Sequence, residues 1–272
     1  MNVLTLTTDY GLSDYFSAAL KGRLWQEVPE LRIADVTHNI SPYHVAEAAY
    51  VLRGAYPAFP KGSIHVVGMD IEWTSWNEPI YLQADGHHFI AANNGVLTLL
   101  FPDLPASAYY SLRPLIEGCV TDSDVLVRAV GHCTRNTPLT TWTEPLAQLQ
   151  IWRELQASAD EGQQLRGNII YFDRYGNAVT NISRSLWDQH HQGRSSIIRC
   201  KQYEFKKLGN QYSAFAPTDP EARSRHEGDK LALFNELGLL ELAIYRSNPL
   251  TVGSPFQLLG FRYRDPVFVR FQ

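Results

Sequence analysis

The 272-residue chain has little sulfur and little excess charge, with three cysteines, two methionines and a net charge of −4. Cys119, Cys133 and Cys200 stand apart with no CxxC spacing, which argues against a disulfide framework or a zinc knuckle and fits a reducing compartment. No basic run exceeds two residues, so nothing here neutralises a phosphate backbone, and nucleic acid is not an expected partner. No window approaches the roughly 18 consecutive apolar residues of a membrane span. No basic n-region precedes an apolar stretch at the N-terminus. The expectation is a soluble, cytoplasmic protein with no membrane partner. Several signatures are missing as well: GxGxxG after the first strand, GxxxxGK[ST], HExxH and GxSxG. Their absence disfavours dinucleotide binding, P-loop phosphate chemistry, zinc proteolysis and a nucleophile-elbow hydrolase.

What remains is an ordinary globular composition, 44% hydrophobic and 19% charged, long enough for one large or two modest domains. The first half alternates strand and helix signals. Val3 to Thr8 reads as strand, Asp14 to Glu27 as helix, Leu31 to Val36 as strand, and Pro42 to Tyr56 as a helix capped by Ser41. Ser63 to Met69 is a third strand. Pro79 to Gln83 and His88 to Ala92 form a hairpin across Asp85-Gly86. From about Thr134 to Gln164 the chain is polar and turn-rich and reads as a surface connection. Beyond it, five short strands follow with few helices between: Arg166 to Phe172, Ser196 to Tyr203, Lys230 to Phe234, Leu239 to Tyr245 and Val267 to Phe271. The expected fold is therefore an α/β N-terminal domain over 1–150 with a mostly parallel sheet. A smaller all-β C-terminal domain, barrel- or sandwich-like, covers 165–272.

Four polar clusters sit where strands or turns end. Asp9 closes the first strand, and ligands bind outside the carboxyl ends of such strands, where a carboxylate suits the vicinal hydroxyls of a ribose. An N-cap is the equally weighted plain use of Asp9. Asp70-Ile71-Glu72-Trp73 follows another buried strand. Asn93-Asn94-Gly95 carries a turn signal first and a binding amide, Asn94, second. Asp173-Arg174-Tyr175-Gly176-Asn177 places a carboxylate, an aromatic face and an amide in one loop, the groups a nucleobase needs. Asp35 and His38 resemble a metal pair only in spacing, so no metal is expected. His87-His88 and His190-His191 read as solvated pairs.

Together these stretches resemble the S-adenosylmethionine hydroxide adenosyltransferase family, which includes the fluorinase and chlorinase. The matching segments run in order through Thr7–Gly11, Asp35–Pro42, Phe59–Val67, Ala92–Leu97, Phe172–Ile182 and Asn235–Ala243. The resemblance implies attack of water, hydroxide or halide on C5′ of S-adenosylmethionine with methionine leaving, and no metal or redox cofactor. It also implies a homotrimer with inter-subunit sites. By resemblance, Asp9 holds the ribose diol, Tyr43 flanks the nucleoside, and Asp173, Tyr175 and Asn177 contact adenine and methionine. Asp70 begins the catalytic Asp-Arg-His set of the hydrolytic members.

The chain departs from that set. A Gly-Val-Gly stretch and an arginine give way to Ile71-Glu72-Trp73-Thr74-Ser75-Trp76-Asn77, which leaves Asn77 at the arginine position. Aligning the aspartate of the family's Phe-His-Gly-Arg-Asp stretch with Asp124 leaves Thr121 at the histidine position. The methionine-binding Asn-Ser becomes Asn235-Glu236, and Glu236 would repel a carboxylate and attract an amine. Asp70 and Glu72, alternate residues of an extended segment, form a substitute base pair in this reading. The expected function is hydrolysis of S-adenosylmethionine to adenosine and L-methionine, with Asp70, Glu72, Asn77 and Thr121 at the reaction centre. The alternative is a catalytically inactive protein that binds S-adenosylmethionine or adenosine, its cavity filled by Trp73 and Trp76.

Overall fold

The computed structural model describes residues 3–152, 156–160, 164–206, 208–215, 219, 221, 224–250 and 253–272. The chain divides into two compact units, Met1–Trp152 and Arg153–Gln272.

In the first unit the order is β1 (Val3–Thr8), α1 (Phe16–Glu27), β2 (Arg32–Thr37), α2 (Val45–Ala55), β3 (Ile64–Gly68), β4 (Pro79–Ala84) and β5 (His87–Ala92). It continues with α3 (Val96–Leu100), β6 (Tyr109–Ser111), α4 (Asp122–Thr134) and β7 (Glu144–Pro145). These strands make one 7-stranded sheet in the order β2-β1-β3-β5-β4-β6-β7. Strands β2, β1, β3 and β5 are parallel, whereas β4, β6 and β7 run antiparallel to their neighbours. The sheet is thus mixed rather than mostly parallel. The reason is the Asp85-Gly86 turn, whose two residues both take positive φ (50° and 76°), reverse the chain and start an antiparallel half.

Helices cover both faces. Leu20 and Leu24 of α1 and Val125, Leu126 and Val130 of α4 pack on Leu4, Leu6, Ile64 and Val66. Ala48 and Leu52 of α2 and Val96 and Leu97 of α3 pack on Val67, Met69, Phe89 and Ala91. Neighbouring residues such as Val66 and Val67 serve opposite cores, as the strand period of two demands.

Several expectations change. Helix α2 starts at Val45 behind His44, whose Nδ1 accepts from the Glu47 N–H at 3.1 Å, not at Pro42 behind Ser41. Tyr43 has φ of 61°, a left-handed conformation that cannot continue into a helix. Helix α4 has no counterpart in the sequence reading. The stretch 134–164 is more than a surface connection: Trp142 is 2% exposed and stacks on His132 at 5.2 Å. Within that stretch, 153–155 and 161–163 lie outside the described residues. His87-His88 is not solvated, since His87 is fully buried and His88 Nδ1 lies 2.7 Å from the Tyr81 hydroxyl. His190-His191 is half-buried, with His191 stacked on Trp187.

The second unit contains β8 (Ser158–Asp160), β9 (Gln164–Phe172), β10 (Ala178–Ser183), α5 (Arg184–His191), β11 (Ser196–Cys200), β12 (Tyr203–Phe205) and β13 (Leu208–Gly209). It ends with β14 (Lys230–Phe234), β15 (Leu239–Ile244), α6 (Pro255–Leu258) and β16 (Pro266–Phe271). Its 9-stranded sheet runs β12-β11-β16-β9-β10-β15-β14-β13, with β8 added on β9. Near the sheet's two ends, β12 lies against β14, so the sheet curls toward a barrel around Leu165, Ile169, Leu240, Leu242 and Val267. The helix α5 means that this unit is sheet-rich and not all-β. Ser183 caps it by accepting from the Leu186 N–H, and Trp187 fixes it to the core.

A buried histidine chain crosses the first unit. Thr5 Oγ1 meets His65 Nδ1 at 2.8 Å, and His65 Nε2 meets His87 Nδ1 at 3.1 Å. Burial first, and the neighbouring His87 second, push the His65 pKa from 6.5 down to about 3. Burial also lowers that of His87. His65 stays neutral in the fold until the pH nears about 3, and His87 charges less readily than in the unfolded chain, which binds protons below the ordinary value of 6.5. This contribution is complete above that value and is lost as pH falls toward the folded-state pKa. We therefore expect the melting temperature to drop between about pH 7 and pH 5, and to drop less in His65→Asn; thermal denaturation across that range checks it.

Candidate active site

Strand β1 pairs with β2 on one side and β3 on the other, so the chain leaves β1 and β3 in opposite directions at their carboxyl ends. The loops diverge there and open a crevice, the usual ligand position in such sheets. Thr8 pairs with Gly68, which puts Asp9 and Asp70 just beyond the ends of adjacent strands. Asn94 just follows β5, the next parallel strand, and its Nδ2 donates to the Met69 carbonyl at 3.5 Å.

Asp9 acts partly as a local acceptor. Its Oδ2 takes the Tyr43 N–H at 3.2 Å and so holds Tyr43 in its left-handed conformation. The Tyr43 side chain is 74% exposed, an aromatic face beside the Asp9 carboxylate.

Asp70 is left-handed too, with φ of 50°. A non-glycine residue in that region is strained, and such strain gathers at functional sites. From Asp70 onward the side chains segregate. Asp70, Glu72, Thr74 and Trp76, together with Asn77, Asn94, Gly95, Gln150 and Trp152, line one cavity of about 410 Å³. Ile71 faces a different cavity, and Trp73 turns away so that its Nε1 donates to the Asp122 carbonyl at 2.7 Å. The expected alternation of Asp70 and Glu72 onto one side therefore holds. Trp76 is 71% exposed and stands in the wall without filling the space.

The far wall, residues 150–152, escaped the sequence reading. Asn93 pins it: its Nδ2 donates to the Gln148 carbonyl at 2.8 Å, and its Oδ1 accepts from the Gln150 N–H at 2.9 Å. Gly95 has φ of 93°, and a Cβ there would lie 3.1 Å from Trp152 Cβ, so glycine lets the Trp152 side chain close the wall. Trp152, an aromatic in a stretch that reads as polar and turn-rich, was the available sequence signal.

Thr121 does not join this group. It begins α4 in a capping box with Asp124, and Arg23 Nη1 donates to its Oγ1 at 2.6 Å. It lines a second cavity of about 390 Å³ with Tyr10, Arg23 and Ile71.

In the second unit, Asp173, Tyr175 and Asn177 form one turn. Asp173 Oδ1 accepts from the Tyr175 and Asn177 N–H groups at 2.9 and 2.8 Å, and Oδ2 from Asn177 Nδ2 at 2.9 Å. Burial raises the Asp173 pKa, and these hydrogen bonds oppose the rise. Tyr175 is 65% exposed. Glu236 is exposed in the turn before β15, next to Leu239, which pairs with Ser183 at the other end of β10 from this loop. Glu236 is therefore not brought to Asp173. Glu241, a residue not singled out from the sequence, is: it pairs with Val179 and is 3% exposed. Its Oε1 accepts from the Tyr212 hydroxyl, and burial, then the charge of Asp173, raise its pKa. An acid inside the apolar run Leu239-Leu240-Glu241-Leu242-Ala243 was the overlooked signal.

With this geometry in place, comparison with known proteins is informative. Residues 4–142 match the family model for the SAM hydroxide adenosyltransferase N-terminal domain, and residues 167–268 match that for the C-terminal domain. The chain belongs to this family. It is similar to the (R)-S-adenosyl-L-methionine hydrolase of Methanocaldococcus jannaschii, 25% identical over 74% of this chain and 79% of that one. The hydrolase of the same name from Thermus thermophilus is 24% identical over 98% of this chain and 99% of its own. A fluorinase from Actinopolyspora mzabensis is 21% identical, covering 94% of each. In fold, the chain resembles an uncharacterized conserved protein from Thermotoga maritima, with a TM-score of 0.80 at 20% identity, covering 99% of this chain and all (100%) of the other. Among the described residues no group of three or more His, Cys, Asp or Glu side chains is placed to hold a metal ion, and no helix is long and apolar enough to cross a membrane.

The turn at Asp173 yields a test. Gly176 has φ of 75°, and a Cβ there would sit 2.4 Å from the Ser254 side chain. Gly176→Ala should destabilise the protein by about 1–3 kcal/mol, read by urea denaturation.

Proposed function

We propose that this protein hydrolyses S-adenosylmethionine to adenosine and L-methionine, by attack of water at C5′. The open cavity beside Asp70 and Glu72 carries this reading over that of an inactive binder. An inactive binder needs the bulky loop to occupy the nucleophile's place, whereas Trp73 turns away and about 410 Å³ stays free.

The substrate is a sulfonium cation whose leaving group is a neutral thioether, so departure needs no general acid. The protein must align a water with C5′ and accept its proton. Asp70 and Glu72 are the acids on the cavity wall and share the base role. The indoles of Trp76 and Trp152 offer faces to a cation. Asp9, with acceptor capacity left beside the Tyr43 N–H, binds the ribose diol, and Tyr43 and Tyr175 stack on the nucleoside. Asn94 contributes an amide at the strand ends, and Asp173 and Asn177 supply acceptors for the amino groups of the ligand. Glu236 and Thr121 take no part at the reaction centre in this reading. No metal or redox cofactor is needed. The resemblance further supports a cytoplasmic homotrimer in which neighbouring copies complete the binding of substrate.

The test is chromatography of the protein incubated with each sulfonium epimer of S-adenosylmethionine, beside Asp70→Asn, Glu72→Gln and Asp9→Asn. Adenosine and methionine should appear in equal amounts. Asp70→Asn should lower kcat about a hundredfold or more, and Asp9→Asn should act mainly on KM. Binding by calorimetry without products would instead make this chain a binder.

A further inference from the structure

The loop from Asp70 to Asn77 is held by one side chain. Asn77 is 7% exposed, and its Nδ2 donates to the Asp70 carbonyl at 2.6 Å and to the Glu72 carbonyl at 3.2 Å. Its backbone reinforces the tie: the Asn77 N–H donates to Thr74 Oγ1 at 3.0 Å, and the Thr74 N–H donates to the Asn77 carbonyl at 3.1 Å. The amide cannot be reversed, because its oxygen would then face two carbonyl oxygens.

The other end of the same amide is left without a partner. Asn77 Oδ1 is buried and accepts no hydrogen bond among the described residues. An orphaned buried acceptor is a cost that an aliphatic side chain of the same size would not carry. A residue that keeps such a cost is present for its donors, and both donors go to the carbonyls of the two acids on the cavity wall.

Those carbonyls matter because Asp70 is strained. Its φ of 50° places its peptide in a region that the local chain does not favour. Fixing the carbonyls of Asp70 and Glu72 from one nitrogen fixes the rotation of the backbone between them. That rotation decides whether the alternating side chains reach the cavity or turn toward Ile71 and Trp73.

We propose that Asn77 is a positioning residue, which clamps the Asp70 and Glu72 carbonyls through one amide and so holds both carboxylates on the cavity wall. The proposal rests on the hydrolytic reading above for its kinetic consequence, and on the loop geometry alone for its structural one. Asn77 itself touches no reacting atom.

The experiment is a double-mutant cycle. Asn77→Asp keeps the shape but sets an acceptor against two carbonyls, and Asn77→Ala removes both the donors and the orphaned oxygen. In the native background each should lower kcat by about tenfold or more with KM changed by less than about twofold. In an Asp70→Asn, Glu72→Gln background the same changes should cost less than about twofold, because the clamp acts through those two carboxylates. Equal costs in the two backgrounds would show general destabilisation and overturn the proposal. Asn77→Ala carries the test if Asn77→Asp does not fold. If the native protein turns over no S-adenosylmethionine, the hydrolytic reading fails and crystal structures of the two variants decide the clamp by themselves. Asp70 leaving its left-handed conformation supports it, and Asp70 unchanged in φ refutes it.

Discussion

Parallel pairing of β1 on both its edges is the constraint on which the first unit depends. With β1 leading to β2 on one side and β3, on its other side, leading on to β4, the chain leaves the two strands in opposite directions and a crevice opens between the departing loops. Asp9 is the first residue past β1 and Asp70 the second past β3. Two residues here, Tyr43 and Asp70, are bent into left-handed conformations. The stable part of the sheet carries this strain, since Leu4, Leu6, Val66 and Val67 are essentially fully buried on its two faces.

The two units hold their acids in different surroundings. Asp70 and Glu72 are exposed on a cavity wall. Asp173 and Glu241 belong to a turn and a strand that bury them, and their oxygens are occupied by Asn177 and Tyr212. Acids of the first kind can trade protons with water beside a substrate. Those of the second kind shape a loop, in which Asp173 Oδ2 accepts a single hydrogen bond among the described residues and keeps a lone pair for a ligand, and leave Tyr175 presented to solvent.

Much of this was legible in the residues, and the failures have physical causes. The hairpin was readable because Asp85-Gly86 accepts positive φ at both positions. Asp9 and Asp70 stood out because acids directly follow apolar stretches, whereas the left-handed backbone of Asp70 could not be read from residues that pattern as extended chain. The start of α2 was not readable either, since a contact from Asp9, 34 positions away in sequence, sets the conformation of Tyr43. Nor was the burial of His87, whose ring meets that of His65 because β3 lies beside β5. Residues 150–152 carry no periodic pattern, and reach the cavity because Asn93 and Thr98 hold the backbone around them. Thr121 was assigned by position in a stretch whose actual use is to begin a helix.

The conformation of Asp70 also narrows which sequences can occupy its place. A left-handed backbone strains glycine not at all and asparagine and aspartate less than other residues, and the proposed base role calls for an acid. Aspartate meets both demands at the least backbone cost, although larger side chains such as Tyr43 also take this conformation in the same fold. Glutamate would keep the charge but resist the backbone, while asparagine and glycine would keep the backbone and lose the charge. An inactive descendant of this protein would therefore arise most readily by a step that preserves its fold, and its inheritance would show at this position as asparagine or glycine.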